Sequence, residues 1–594
     1  GGAMALAGRT IQEVTDISLQ EQLYLFQRAR LLKEGSTAED CAASSAPPLC
    51  EVLDASAPLR VDDPDATVYL VFMEGSTRTR ESLRNAAVHH GVKVNEFQAE
   101  TSSFQKSETI ADTMKMLTVY STQRSVFVIR SPLEGVCRWL QAVLPDHAAK
   151  FGVPTPSFLN AGDGRYTHPV GELADMFSLL EQASWDRSSI HIALVGDLAH
   201  GRTAHSKVDG LKVFDKVRVD LVAGSSFEYP VEYRNQMRAQ GFDVREFPTA
   251  EAYLQSAEGD LATVWYFYQP QFKRCGELPP GAVDDLRAAA TFRAEWQAKL
   301  PAGACFFQTL PRDKANPLIP LAFDATPLNG WDRHASNTFF VHVVLLGMLF
   351  GKIGRGIPSV QADVRRRSLP RKTSLTSVMS GVYPFAGEVT PDSLPSFMEQ
   401  VDLSAQERLR RPDRALPGGA VPIRDGLVVD HIGRSVDPAT CWQRLRLVRN
   451  ILQWSQHVGS EGVYESSSSR GAETRTFKAI VSLPNFEFET VSVPQMKTLA
   501  SIAPGCTINA IKDSKVRNKF RLAVPERIYN LPGINCINSQ CVSHPPNRQR
   551  DIVAFFERVP FYETSVLPGC QAAEYLFRCR YCRWPHTYED IWNA

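Results

Sequence analysis

The stretch Val71-Phe72-Met73-Glu74-Gly75-Ser76-Thr77-Arg78-Thr79-Arg80 constrains the fold more than any other part of this chain. The apolar run Val68 to Met73 reads as a buried strand that breaks at Glu74-Gly75. A helical pattern, Glu81 to His90, follows and stops at Gly91. A strand that passes through a glycine into a helix start places free backbone N–H groups and the positive end of the helix dipole at one point. Ser76, Thr77 and Thr79 add hydroxyls, and Arg78 adds a planar fork suited to phosphate oxygens. The stretch reads as a phosphate cradle, and it is not a Walker A loop, because it has no G-x-x-x-x-G-K. An ordinary capped helix with surface arginines is the competing reading of these residues alone.

Strands and helices alternate on both sides of it. Expected strands are Gly91 to Phe97, Ser125 to Ile129, Pro156 to Asn160, Ile190 to Leu198, Val217 to Ala223 and Leu261 to Phe267, with Ala304 to Phe307 before Gln308. Expected helices run from Thr10 to Leu32, Glu108 to Tyr120 and Gly171 to Leu180, and a long apolar one closes the series at Thr338 to Phe350. Such alternation implies two parallel-sheet α/β halves, with ligands bound beyond the carboxyl ends of the strands, where Arg130 falls. The 65 basic and 65 acidic residues balance, so nothing points to nucleic acid or an anionic membrane. Gly1-Gly2-Ala3-Met4 reads as an expression remnant with no apolar signal segment after it, and the longest apolar helix falls short of a bilayer span. A cytoplasmic protein is expected. Residues 354–425, rich in Pro and Ser with the run Arg365-Arg366-Arg367, read as a linker with one helical piece near Leu394 to Val401. Beyond it an α+β pattern resumes: strand Leu427 to His431, helix Ala439 to Gln456, strand Thr476 to Leu483, helix Ser492 to Ile502 and strand Thr507 to Ile511.

The motifs jointly resemble aspartate transcarbamoylase, with its catalytic and regulatory chains fused into one polypeptide. F-M-E-G-S-T-R-T-R, T-S-S-F-Q-K-S-E-T-I-A-D-T, V-I-R-S-P-L-E-G, L-N-A-G-D-G-R-Y-T-H-P and V-G-D-L-A-H-G-R-T-A-H-S carry the catalytic part over about Thr10 to Phe350. G-L-V-V-D-H-I, C-T-I-N-A-I, N-K-F-R-L-A-V-P-E-R-I, C-I-N-S-Q-C-V-S-H and C-R-Y-C carry the regulatory part over Gly426 to Ala594. The resemblance implies attack of the aspartate amine on carbamoyl phosphate without a metal at the active site. It assigns carbamoyl phosphate to Ser76, Thr77, Arg78, Thr79, Arg130 and His168, with Arg78, Thr79 and His168 catalytic. Ser102 and Lys106 match a loop that reaches a neighbouring subunit's site, which implies a trimer or a multiple of it. Lys106, Arg202, Thr203, Gln271 and Leu310 are the implied acceptor residues.

The departures concentrate on the acceptor. Gly171 stands where the family has a glutamine, Gln269 where an arginine holds the aspartate side-chain carboxylate, and Gln308-Thr309 where it has His-Pro. Ser131 replaces a usual histidine, and His342 an arginine of the last helix. Three readings follow: an aspartate enzyme with a rebuilt acceptor site, which would draw on Lys273, Arg274 or Arg312; a carbamoyltransferase for another acceptor; or a non-catalytic binding or assembly homologue.

Cys536-x₄-Cys541 and Cys579-x₂-Cys582 fit a closed four-thiolate site, hence structural Zn²⁺. The resemblance makes Gly426 to Arg527 a nucleotide effector domain, with Asp430, His431, Asn509, Ile511 and Lys519 at effector positions and Ser482 in place of a lysine. Lys478 lies on the same strand face but four residues away. The expected architecture is two doubly wound parallel-sheet halves, then a ferredoxin-like effector domain and a small β domain with a four-cysteine zinc site. The boundaries expected are 8–170 (carbamoyl phosphate), 171–353 (acceptor), 354–425 (linker), 426–528 (effector) and 529–594 (zinc).

Overall fold

The computed structural model describes residues 6–37, 48–97, 108–271, 278–357, 397–403, 422–466, 474–549, 552–559 and 576–593, a few single positions within them aside. The first α/β series runs β1 (Thr10–Ile11), α1 (Leu19–Glu34), β2 (Thr67–Phe72), α2 (Thr77–His89), β3 (Lys93–Phe97), α3 (Ile110–Val119), β4 (Ser125–Ser131), α4 (Val136–Lys150), β5 (Ser157–Asp163) and α5 (Pro169–Gln182). Its sheet has the order β1-β5-β4-β2-β3, all parallel. The second series runs β6 (Ser189–Gly196), α6 (Arg202–Gly210), β7 (Lys216–Val222), α7 (Val231–Ala239), β8 (Asp243–Phe247), α8 (Ala250–Ser256), β9 (Val264–Tyr268), α9 (Ala282–Ala290), β10 (Cys305–Gln308) and α10 (Trp331–Leu349). Its sheet, again all parallel, has the order β10-β9-β6-β7-β8.

These strands are near-continuous apolar runs because helices cover both faces of each sheet. Val68, Leu70, Val126, Val128 and Leu159 are buried on one side of the first sheet, and Tyr69, Val71, Phe127, Ile129 and Phe158 on the other. Helix α10 folds back across the molecule, packing on α1, α2 and α5, so the last element of the second series locks onto the first. His90 Nε2 stands 2.6 Å from Val343 O along that contact.

The single helix expected over Thr10 to Leu32 is in fact β1, a 3-10 turn (Val14–Asp16) and α1. A capping box between Ser18 and Glu21 fixes the later start, and Gly35 at φ 64° ends the helix. Thr10 and Ile11 are drawn into the sheet edge by pairing with Phe158 and Leu159, a partner 148 residues away that no local pattern reveals.

Part of the expected linker is sheet rather than helix. Met398–Gln400 forms β11, antiparallel to Lys515–Leu522; three residues of hydrogen-bonded edge override the weak helical spacing there. The sheet it joins contains β12 (Gly426–Ser435), β13 (Ser460–Glu465), β14 (Phe477–Pro484), β15 (Thr507–Lys512) and β16 (Lys515–Leu522), in the order β11-β16-β15-β12-β14-β13. Helices α11 (Pro438–Ile451) and α12 (Val493–Ile502) complete the β-α-β-β-α-β chain order and antiparallel sheet of a ferredoxin-like fold. A last antiparallel sheet, β17 (Arg527–Tyr529), β18 (Phe555–Arg558), β19 (Leu576–Cys579) and β20 (Pro585–Thr587), is followed by α13 (Tyr588–Asn593). One apolar cluster runs from Tyr69, Phe127 and Trp139 on the outer face of the first sheet through Cys541 and Tyr581 to Ile508 in the ferredoxin-like sheet.

Candidate active site

Strand β2 ends beside β4, with Phe72 opposite Arg130, and Met73 N–H donates to Arg130 O at 2.9 Å. The chain then turns through Gly75 into α2. Ser76 is the N-cap at φ −159°, and its hydroxyl makes no capping bond, so the first-turn N–H groups and the exposed Arg78 face a cleft. The Arg130 guanidinium lies in the same cleft. Its Nη1 donates to Ala161 O at 3.0 Å, and its Nε stands 3.6 Å from Glu74 Oε2.

His168 caps α5. Its Nδ1 accepts from Gly171 N–H at 3.0 Å, which places the proton of the neutral ring on Nε2, 3.4 Å from Arg130 Nη1. Burial, with Arg130 and Arg202 adding like charge, holds this histidine well below its ordinary titration range, so it is a neutral donor. A Cβ on Gly171 would stand 3.1 Å from His168 Nδ1. The glutamine-to-glycine departure therefore gives the imidazole room.

Arg202 opens α6 and is 3% exposed. Its Nη2 donates to Glu74 Oε2 at 3.1 Å and its Nη1 to Gly164 O at 3.3 Å. Glu74 thus stands between Arg130 and Arg202 and ties the two halves of the cleft. Gly162, at φ 112°, makes the approach possible, since a Cβ there would lie 2.8 Å from Arg202 Cζ. Asp163 serves the scaffold instead, accepting from Gln12, Asn160 and Gly135 N–H.

These groups line one cavity of about 880 Å³ between the carboxyl ends of the two sheets. It gathers Ser76, Thr77, Arg78, Thr79, Arg130 and His168 on one side, and Arg202, Thr203, Gln271 and Leu310 on the other. Ser102 and Lys106 lie outside the described residues, as do Lys273 and Arg274. Arg312, another cation available in sequence, forms a two-bond pair with Asp324 at 2.7 and 2.6 Å and is not part of the cavity wall. Gln269 is 5% exposed and away from the wall, whereas Gln271 is held there by Asp197 Oδ2 (2.9 Å from its N–H) and by its own amide donating to Gln269 O. The Leu310–Pro311 peptide is cis.

Sequence reasoning singled out His342 but missed the rest of the back wall. His334, Thr338 and His342 all line the cavity from α10. Their i, i+4, i+8 spacing, which carries a polar stripe from the mixed first half of the helix to His342 in its apolar second half, was the available signal. Behind them is a buried cluster: Lys207 Nζ donates to Glu172 Oε2 and Asp175 Oδ2, each at 2.5 Å, and Tyr266 OH donates to Asp175 Oδ1 at 2.9 Å. Burial raises the Glu172 carboxyl to about 8, while for Asp175 the neighbouring Lys207 and His334 outweigh burial and hold it below the usual range.

Far from the cavity, Cys536, Cys541, Cys579 and Cys582 are all buried, with their sulfurs within 4.8 Å of one another. In the ferredoxin-like sheet, Lys478 Nζ donates to Asp430 Oδ2 at 2.9 Å and stands 3.4 Å from His431 Nε2, so this lysine reaches the cluster despite its offset from Ser482. Asn509 pairs with Lys519 across β15 and β16 and donates to Val428 O, whereas Ile511 lies toward the opposite end of β15, opposite Gly426.

Residues 9–181 match the family described as aspartate/ornithine carbamoyltransferase, carbamoyl-P binding domain, and residues 420–523 the one described as aspartate carbamoyltransferase regulatory chain, allosteric domain. Fold and cleft thus define a carbamoyltransferase catalytic region continued by a regulatory chain in one polypeptide. The protein named PyrBI of Treponema denticola is 38% identical over 594 residues, 99% of this chain and 98% of that protein. The PyrBI of Thermotoga maritima is 35% identical over 589 residues, 99% of each. The aspartate carbamoyltransferase catalytic subunit of Dichelobacter nodosus is 28% identical over 362 residues, 60% of this chain and 93% of that one. The chain belongs to the PyrBI family.

Proposed function

We propose that this enzyme transfers the carbamoyl group of carbamoyl phosphate to the aspartate amine in pyrimidine biosynthesis, under the control of its C-terminal region. The observation that carries this is the meeting of a phosphate cradle, a neutral histidine and a buried arginine in one cleft between two parallel sheets. In the reaction the amine lone pair forms the new C–N bond, the bond from carbon to the phosphate oxygen breaks, and the nitrogen loses a proton. Ser76, Thr77, Arg78, Thr79 and Arg130 would hold the phosphate. His168 Nε2–H and Arg130, 3.4 Å apart, would share the carbonyl oxygen as its charge develops. Arg202, Thr203, Gln271 and Leu310 would take the acceptor, with Lys106 and Ser102 supplied by a neighbouring copy in a trimer. A colorimetric ureido assay with carbamoyl phosphate and aspartate tests this; absence of carbamoyl aspartate at saturating substrates overturns it.

Zinc is proposed for the four cysteines. Tetrahedral zinc with Zn–S bonds of about 2.3 Å sets sulfurs about 3.8 Å apart, and the Cys536–Cys582 and Cys541–Cys579 pairs stand 3.7 Å apart. With all four positions filled by thiolates, its role would be structural. Nucleotide effectors are proposed for the Asp430, His431 and Lys519 cluster with Lys478, testable by calorimetric titration with cytidine and adenine triphosphates. The functional division proposed is 8–170 for carbamoyl phosphate, 171–353 for the acceptor, 426–528 for effectors and 529–594 for zinc, with 354–425 between. Among the described residues no helix is long and apolar enough to cross a membrane, which supports a cytoplasmic location.

A further inference from the structure

An aspartate acceptor brings two carboxylates, and the cavity has to answer both. Among the described residues its cationic or cationisable lining groups are Arg78, Arg130, His168, Arg202, His334 and His342. Arg78 and Arg130 belong to the cradle. His168 spends Nδ1 on Gly171 N–H, and His342 Nδ1 stands 2.9 Å from Ser82 Oγ; burial keeps both rings neutral. Arg202 answers one carboxylate.

His334 is different, because a carboxylate stands behind it. Its Nε2 is 2.7 Å from Asp175 Oδ1. Asp175 is itself fixed, its Oδ1 by Tyr266 OH and its Oδ2 by the fully buried Lys207. Nδ1 of His334 has no hydrogen bond among the described residues, and the ring lines the cavity. With Nε2 beside Asp175, a carboxylate arriving in the cavity would meet the ring at Nδ1. Gln308, 1% exposed, lines the same cavity with neither end of its amide hydrogen-bonded among the described residues, and it follows Phe307, whose ring lies 6.4 Å from that of His334. A buried amide with neither end partnered, in the same cavity wall as His334, points to a polar ligand.

We propose that His334, oriented by Asp175 and joined by the Gln308 amide, holds the second carboxylate of the acceptor, while Arg202 holds the first. The proposal rests on aspartate being the acceptor, and its test separates the two claims. Succinate, a dicarboxylate without the reacting amine, is titrated by calorimetry into the full chain saturated with carbamoyl phosphate, alongside aspartate turnover. His334→Asn, with His334→Gln as a second variant, is expected to weaken succinate about tenfold to a hundredfold and to raise the aspartate KM in parallel, as loss of one charge-assisted bond implies. Carbamoyl phosphate affinity stays unchanged, which certifies the fold. His334→Arg restores succinate binding, which a merely structural role would not allow. Wild-type succinate affinity in both neutral variants overturns the proposal; so does failure of the wild type to bind succinate, or loss of binding in Lys273→Ala or Arg274→Ala but not in His334→Asn. If succinate binds through His334 yet no carbamoyl aspartate forms, the functional assignment falls and this one stands.

Discussion

Arg202 reaches the cleft only because residue 162 carries no side chain. Gly162→Ala would set a Cβ 2.8 Å from Arg202 Cζ at a φ of 112°, where an L residue is strained by about 1–3 kcal/mol. The expected result is a lower melting temperature and an aspartate KM raised at least about tenfold through the displaced guanidinium, with carbamoyl phosphate binding less affected; steady-state kinetics checks both. Titration behaviour is also set residue by residue. Burial lowers His90 to about 4 and His342 to about 3, and pushes His168 well below its usual range. Unfolded, each titrates near 6.5. Between about pH 6.5 and 4 the unfolded chain therefore binds protons that the native chain does not, so stability falls as pH drops, by about 1.4 kcal/mol per pH unit for each histidine. Denaturant unfolding from pH 7 to 5 should show that slope, and His342→Gln should remove one histidine's share; an unchanged slope would place the acid loss on other groups.

At the scale of elements, the N-terminal turn of α5 is built around the His168 ring, and Gly171 is part of its seat. Gly171→Gln, which restores the family's residue type, crowds Nδ1 at 3.1 Å here. A kcat about tenfold lower, or about 1.4 kcal/mol in barrier, is expected, with a smaller change in aspartate KM. A kcat equal to wild type would mean the ring does not feel position 171. The cradle, the strands around it and the Cys-x-x-Cys pair were legible in sequence because each is local: a periodicity, a glycine break, a spacing. The edge strands β1 and β11 were not, since what makes them strands is a partner elsewhere in the chain. The cluster behind the cavity was illegible for the same reason. Lys207 meets Asp175 across 32 positions and Gln12 meets Asp163 across 151, contacts set by how helices and strands stack.

At the scale of the whole molecule, the cysteine module sits on the catalytic region at Glu134. Glu134 N–H donates to Gln540 O at 2.8 Å, Val542 N–H donates to Glu134 O at 3.1 Å, and Asn538 Nδ2 donates to Glu134 Oε2 at 2.6 Å. The other carboxylate oxygen accepts from Arg165 N–H at 3.0 Å, one residue from the Gly164 carbonyl that holds Arg202. Gly135 admits the backbone of Tyr581, whose carbonyl accepts from Arg138 Nη1 at 2.9 Å. Glu134→Ala leaves Asn538 and Arg165 N–H without their acceptor, at a cost of about 1–3 kcal/mol each. It should loosen the module, seen as faster proteolysis after residue 529, and raise the aspartate KM through Arg202. Strong chelation should release one zinc per chain and bring the same loosening, because so small a module has little core of its own; metal analysis and limited proteolysis check it. The sequence by itself determined the parallel α/β halves, the cradle and the four-cysteine set, since strand period, helix starts and cysteine spacing act over a few residues, while Arg130, His168 and Arg202, which line the cavity, were singled out through the family resemblance. Tertiary structure alone decided that Gln269 lies off the cavity wall, that Arg312 is tied to Asp324, that His334 stands before Asp175 and that Glu134 joins Asn538 404 positions away. Those outcomes depend on which side chains meet when packed elements close, and chain order does not encode that proximity locally.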